Sequence, residues 1–146
     1  IPLRLVGSEM CIRDRVSLTI EDNDKGVLRS GELLADAVTM LDEFGADAKL
    51  LNCSKPEAIL ASWSKMKSDQ GLTGAYGNGF TSIDSLQPGG TVKSMESRSD
   101  LGPAAYAEFA LQWANQGAAL IGGCCEVGPA HIKALARRLT EAGYSV

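Results

Sequence analysis

Cys53 follows Leu50-Leu51-Asn52, and the pair Cys124-Cys125 follows Ile121-Gly122-Gly123. Each of these cysteines lies just past an apolar run. Thiolates are soft ligands, and zinc takes them tetrahedrally at about 2.3 Å. Three protein ligands would leave the fourth position open for a substrate, as in a catalytic rather than a closed structural site. Gly122 and Gly123 favour such a site because they permit close backbone approach and conformations denied to other residues. Spacing alone leaves a second reading open. A cysteine at a strand end also serves as a small buried hydrophobe, and adjacent cysteines are not a C-x-x-C zinc spacing.

Bringing Cys53 to Cys124, 71 positions away, requires elements that end at a common rim. Val16 to Ile20 alternates apolar and polar residues and predicts a strand. Glu21 to Ser30 is a polar loop. Ser30 is read as the cap of a helix carrying Leu33, Leu34, Ala37, Val38 and Leu41, which Gly45 ends. Ala48 to Leu51 predicts a second strand. Ser54 as N-cap and Pro56 in the first turn open a helix to about Lys67. Gly71 to Tyr76 predicts a third strand, followed by a long loop from Gly77 to Gly102. Pro103 to Asn115 predicts a helix closed by Gly117. Ala118 to Ile121 predicts the last strand, and Pro129 opens the last helix, with Ile132, Leu135, Ala136 and Leu139 on its apolar face.

The resulting β-α-β-α-β-α-β-α order implies parallel strands with helical crossovers. The fold class is α/β. Four βα units make half of a (β/α)8 barrel, which needs ~250 residues. A small open doubly wound sheet explains the alternation equally well. In either fold the C-terminal edge of the strands is where sites are built, and all three thiols would lie there.

The chain has 146 residues, 45% hydrophobic and 22% charged, with a net charge of −4. That balance fits a soluble globular domain without the basic footprint of a nucleic-acid binder. Lys and Arg are scattered rather than clustered, against an anionic membrane surface. No apolar run approaches the ~18 residues of a membrane span. The first residues lack the layout of a secretion signal, so a cytoplasmic location is expected, with the four cysteines reduced. Residues 1–15, which include the isolated Cys11, show neither period. Val6 to Arg15 resembles translated adaptor sequence. We set 1–15 aside as a non-native or disordered N-terminal segment and take 16–146 as the domain.

Two cysteine motifs identify a family resemblance. Leu50-Leu51-Asn52-Cys53-Ser54-Lys55-Pro56-Glu57 and Ile121-Gly122-Gly123-Cys124-Cys125, followed by Gly128-Pro129-Ala130-His131-Ile132, resemble those of the homocysteine S-methyltransferase family. Ala75-Tyr76-Gly77-Asn78 resembles its Tyr-Pro-Asn segment, with Gly77 in place of proline. Ser17-Leu18-Thr19 and Gly31-Glu32-Leu33 resemble the strand and helix start before the first motif. The resemblance runs over about 16–143 and begins near the family's fifth strand, so it implies the C-terminal half of a zinc-dependent (β/α)8 barrel. It implies Cys53, Cys124 and Cys125 as Zn2+ ligands, and Asn52 and Asn78 as substrate-binding residues; Tyr76, which ends a strand at the rim, reads equally as a substrate contact or as core packing. The implied reaction is methyl transfer to the thiol of homocysteine, giving methionine. Relatives use S-methylmethionine, S-adenosylmethionine, betaine, or a methylated corrinoid or folate as donor, and the sequence does not choose among them. Many members carry Gly-Thr after the cysteine pair, where this chain has Glu126-Val127.

Other residues read more plainly. His131, the only histidine, is assigned a capping or surface role in the first turn of the last helix. Glu21, Asp22 and Asp24 read as a solvated loop on the rim. Trp63, Trp113, Tyr106 and Phe109 read as packing on helices. Asp84, Glu96, Arg98 and Asp100 lie in the long loop and are candidates for contact with a methyl donor, with nothing in the sequence to single one out. A half-barrel would leave two open sheet edges and an exposed inner face. Pairing with another half is therefore an expectation. The alternatives to the enzyme are a non-catalytic zinc- or thiol-binding module and an inactive half-barrel fragment.

Overall fold

The computed structural model describes residues 14–82 and 95–146. Among these residues four strands alternate with four helices: β1 Arg15–Leu18, α1 Leu34–Glu43, β2 Ala48–Asn52, α2 Pro56–Ser62, β3 Leu72–Tyr76, α3 Pro103–Asn115, β4 Leu120–Ile121 and α4 Pro129–Glu141. A short 3-10 helix, Trp63–Met66, extends α2. The strands form one sheet in the order β1-β2-β3-β4, and every pairing is parallel. A doubly wound sheet reverses its strand order at a switch point. This sheet advances in one direction, the arrangement of a partial βα barrel.

The register separates two faces. Leu18, Leu51, Ala75 and Ile121 alternate with Ser17, Leu50, Gly74 and Leu120 across the four strands. The first set packs into the apolar layer with Leu34 and Val38 of α1, Ile59 of α2, Tyr106 and Trp113 of α3, and Leu135 of α4. That layer lies between sheet and helices, and Trp113, Tyr106, Ile59 and Leu51 are fully buried in it. The second set faces the side that becomes the inside of a closed barrel. Trp63, Trp113 and Tyr106 pack as expected, and Phe109 lies partly buried against them.

Several local expectations change. β1 begins at Arg15, so the last residue of the set-aside segment is in the sheet. The reading of residues 1–13 lies outside the described residues. Ile20 leaves the strand and bridges Leu28 instead. Ser30 does not cap α1: Leu33 is its N-cap residue, and the Ser30 hydroxyl bonds Glu32. Nor does Ser54 cap α2. Its hydroxyl accepts the Ile20 N–H at 3.1 Å and donates to the Ile20 carbonyl. The free N–H at the start of α2 is met by Asp22 Oδ1, which accepts from Lys55 at 3.0 Å. A carboxylate from a loop 33 residues away thus does the work of a local cap. Regular α-helix also ends at Ser62 rather than Lys67, and β4 is two residues shorter than expected.

Candidate metal centre

The C-terminal ends of β2 and β4 carry the three thiols. Cys53 follows β2 directly and takes φ 50°, a left-handed backbone that costs a non-glycine residue roughly 1–2 kcal/mol. Its N–H donates to the Tyr76 carbonyl at 2.9 Å, so the turn stays tied to the end of β3. On the far side of β3, the Gly122 N–H donates to Ala75 and the Cys124 N–H to Gly77, at 3.0 and 2.9 Å. The Gly79 N–H returns a bond to the Cys125 carbonyl at 2.9 Å. Tyr76 to Gly79 is therefore the spacer between the single cysteine and the pair. Tyr106 of α3 fixes that spacer from behind. Its buried hydroxyl shares one hydrogen between the carbonyls of Gly122 at 2.7 Å and Gly77 at 3.2 Å.

Gly122 and Gly123 act through close approach. A Cβ on Gly122 would stand 2.8 Å from the Tyr76 ring, and one on Gly123 would stand 2.2 Å from Val127 Cγ1. The special backbone conformations expected of them fall elsewhere: among the described residues, the non-glycine positions with positive φ are Cys53 and Glu126, at 50° and 63°.

The result is a cluster in which the sulfurs of Cys53, Cys124 and Cys125 all lie within 4.8 Å of one another. All three are free thiols and half-buried. Cys124 Sγ and Cys125 Sγ are 3.8 Å apart. Tetrahedral ligation at about 2.3 Å sets sulfur–sulfur separations near ~3.8 Å, so the donor set fits a zinc-sized thiophilic cation. Burial, then the neighbouring Cys124 and Cys125 sulfurs, push the Cys53 thiol up to about 12. Burial and Cys124 push the Cys125 thiol up as well. Thiols this close resist ionising together unless a cation joins them.

The other expected site residues sit around this cluster at different depths. Asn52 ends β2 opposite Tyr76 of β3, and its Oδ1 lies 3.4 Å from Thr19 Oγ1. Both Asn52 and Tyr76 remain partly open to solvent. Asn78 is fully buried. Its backbone N–H bonds Ser54 and its Oδ1 accepts from Phe80, while Nδ2 has no partner among the described residues. His131 caps α4: Nδ1 accepts from the Gly128 N–H at 3.2 Å, and Nε2 lies 3.2 Å from the Leu101 carbonyl. Asp22 corrects the solvated-loop reading, for its side chain is only 6% exposed and holds α2 through Lys55. Glu21 accepts from Asn23 at 2.7 Å. Asp84 lies outside the described residues.

Two contributions were missed from sequence. From sequence Tyr106 reads as packing alone, although its hydroxyl spans the carbonyls next to the cysteine motif. Ser97 was not singled out, yet its hydroxyl donates to Glu126 at 2.7 Å, one residue past Cys125. Both partnerships join residues 29 apart, and no local pattern announces them.

The homocysteine S-methyltransferase family model matches residues 7–139. A stretch of 33 residues is 54% identical to homocysteine S-methyltransferase 4 of Zea mays. That match covers 23% of this chain and spans only 10% of the relative's length.

Proposed function

The chain belongs to the homocysteine S-methyltransferase family, and from that premise we propose that it holds zinc through Cys53, Cys124 and Cys125 and methylates the thiol of homocysteine, giving methionine. The observation that carries this reading is the meeting of three sulfurs within 4.8 Å at the C-terminal rim of the sheet. The Zea mays protein is named for the same reaction.

Bound zinc would supply Lewis acidity, lowering the pKa of an incoming thiol so that it reacts as a thiolate at neutral pH. The chain's own residues shape the rest. With zinc held by Cys53, Cys124 and Cys125, the three thiolates would outweigh its divalent charge and keep electron density on the substrate sulfur. That sulfur forms the new S–CH3 bond as the bond from the methyl group to a small cationic donor breaks. No general base is needed once the thiol proton has left. Asn52 and Tyr76, open at the rim beside Cys53, bind the substrate, and the buried Asn78 amide, without a partner among the described residues, supports a polar ligand reaching in behind them. We assign the chain to the cytoplasm, where the thiols stay reduced. No helix among the described residues is long and apolar enough to cross a membrane.

A second reading concerns partners. Among the described residues, β1 and β4 each pair on one side only. Leu33, Met40 and Phe44 of the β1–α1 flank are 55%, 56% and 81% exposed. This supports association with further βα units, from the same polypeptide or a second copy.

Cobalt substitution tests the function. Homocysteine added to the cobalt-loaded chain is expected to intensify the thiolate-to-cobalt absorption, and S-methylmethionine or S-adenosylmethionine to yield methionine. A cobalt spectrum indifferent to homocysteine would reduce the site to a structural metal module.

A further inference from the structure

The thiols come from two separate elements, and one short segment touches both. Residues 95–100 return from the long loop and lie antiparallel to 79–81. Phe80 and Ser97 form a bridge, the Thr81 N–H donates to Glu96, and the Arg98 N–H donates to Gly79 at 2.8 Å. On one side, Ser97 Oγ donates to Glu126 Oε2 at 2.7 Å. Glu126 follows Cys125 directly and holds a left-handed backbone, φ 63°, a conformation that persists in a non-glycine residue only when its surroundings hold it there. The Gly79–Cys125 bond lies beneath the same contact. On the other side, Arg98 grips the first turn of α2. Nη1 meets Glu57 Oε2 at 2.8 Å, and Nη2 meets Glu57 Oε1 at 2.7 Å. Asp100 holds the guanidinium from its own strand side, through Nε at 3.1 Å and Nη2 at 2.7 Å. The Arg98 side chain is 13% exposed, against 68% for Asp100. Glu57 is four residues past Cys53, on the helix that begins where the Cys53 turn ends.

We propose that Ser97 and Arg98 are positioning residues for the metal centre, joined in a strap that sets the distance between Cys53 and the Cys124–Cys125 pair. This rests on the metal reading above. Neither residue touches the thiols. Each holds the element that carries them, Ser97 through Glu126 and Arg98 through Glu57. Bidentate, charge-assisted contacts suit that purpose because they fix orientation as well as distance. A strap cut at either end no longer transmits, so the two ends act as one unit.

The test uses the full chain, with Ser97→Ala, Ser97→Thr, Arg98→Met and the double variant Ser97→Ala/Arg98→Met. Zinc affinity is measured by chelator competition, the thiolate-to-cobalt absorption after cobalt loading, and the melt of the metal-free chain separately. Outer residues that orient metal ligands typically change affinity by about 10–100-fold. Ser97→Ala and Arg98→Met are each expected to weaken zinc about tenfold or more and to alter the cobalt spectrum, with the metal-free melt unmoved. Ser97→Thr, which keeps the hydroxyl, is expected to restore both, and the double variant to be no worse than the weaker single one. Wild-type affinity and spectrum in both single variants would overturn the strap while leaving the metal site intact. So would a melt that falls in proportion to affinity, or losses that add in the double variant. Failure of the wild-type chain itself to take up cobalt would overturn the metal reading instead.

Discussion

Lys49 is completely buried near the start of β2, yet its three ammonium hydrogens have three acceptors: the Asp42 carboxylate of α1, Ser68 Oγ at 3.0 Å and the Gln70 carbonyl at 2.7 Å. Ser68 closes the network by donating to Asp42 at 2.7 Å. Four residues along, where the same strand runs out, Cys53 stands in a left-handed backbone with its thiol crowded by two others. Glu126 is strained likewise, and Asn78 keeps a buried amide without a partner among the described residues. One strand therefore passes from a satisfied charge network on the helix side to a strained, unsatisfied cluster at its C-terminal rim. In βα barrels the lower end carries stability and the upper rim carries chemistry. Strain at a rim persists only because the rest of the fold over-determines it, and the Lys49 network is part of that rest.

If the division holds, changes at the rim should move metal binding and changes at Lys49 should move stability. The largest effect is expected from pH. Zinc uptake must displace the protons held on Cys53 and Cys125, both above the ordinary thiol range. Binding through three thiolates displaces three protons in all, which weakens zinc by about a thousandfold per pH unit of acidification, and zinc titrations across pH 6–8 measure it. The metal-free chain should show the opposite slope at high pH. A thiol whose pKa is raised on folding stabilises the fold below its unfolded value, near ~8.5. That contribution is lost as pH climbs toward the folded value, about 12 for Cys53. Alkaline melts of zinc-loaded and zinc-free chains should therefore diverge.

Asp42→Ala comes next. It strands a buried ammonium, and breaking one partner of a buried pair costs on the order of 3–5 kcal/mol. Asp42 is 21% exposed, so about 3 kcal/mol is expected in urea unfolding, with zinc affinity unchanged. Gly122→Ala drives a methyl group into the Tyr76 ring. Overpacking of this kind costs about 1–3 kcal/mol, and here it should weaken zinc as well, since Tyr76 adjoins the Cys53 turn. The smallest effect is expected from Tyr106→Phe. Losing the shared hydroxyl costs about 1 kcal/mol, read by thermal melt, with a modest drop in zinc affinity. A variant that moved metal and stability in the reverse pattern would dissolve the contrast between the two ends.

The helix layer was legible because it is written locally. Apolar residues at helical spacing placed α1, α3 and α4, and Pro103 and Pro129 marked two helix starts to the residue. The strand alternation was legible for the same reason, although it left a doubly wound sheet open until the pairing order closed that choice. The cysteine motifs pointed to the cluster because each ends a strand. What stayed hidden was contact across the rim. Asp22 capping α2, Tyr106 holding the Gly77 and Gly122 carbonyls, and Ser97 meeting Glu126 all join loops far apart in sequence. Caps showed the same limit: Ser30 and Ser54 have the right residue type, but their hydroxyls found other partners. Glycine, too, was right in place and half right in reason, since Gly122 and Gly123 serve close approach and the left-handed positions are Cys53 and Glu126.

The most direct measurement is a zinc titration of the intact chain against a competing chelator, beside Cys53→Ala, Cys124→Ala and Cys125→Ala. The expected result is one zinc per chain, with stoichiometric uptake lost in each single variant. No uptake by the intact chain, or undiminished uptake in any one of the three variants, would contradict a metal centre built from these thiols.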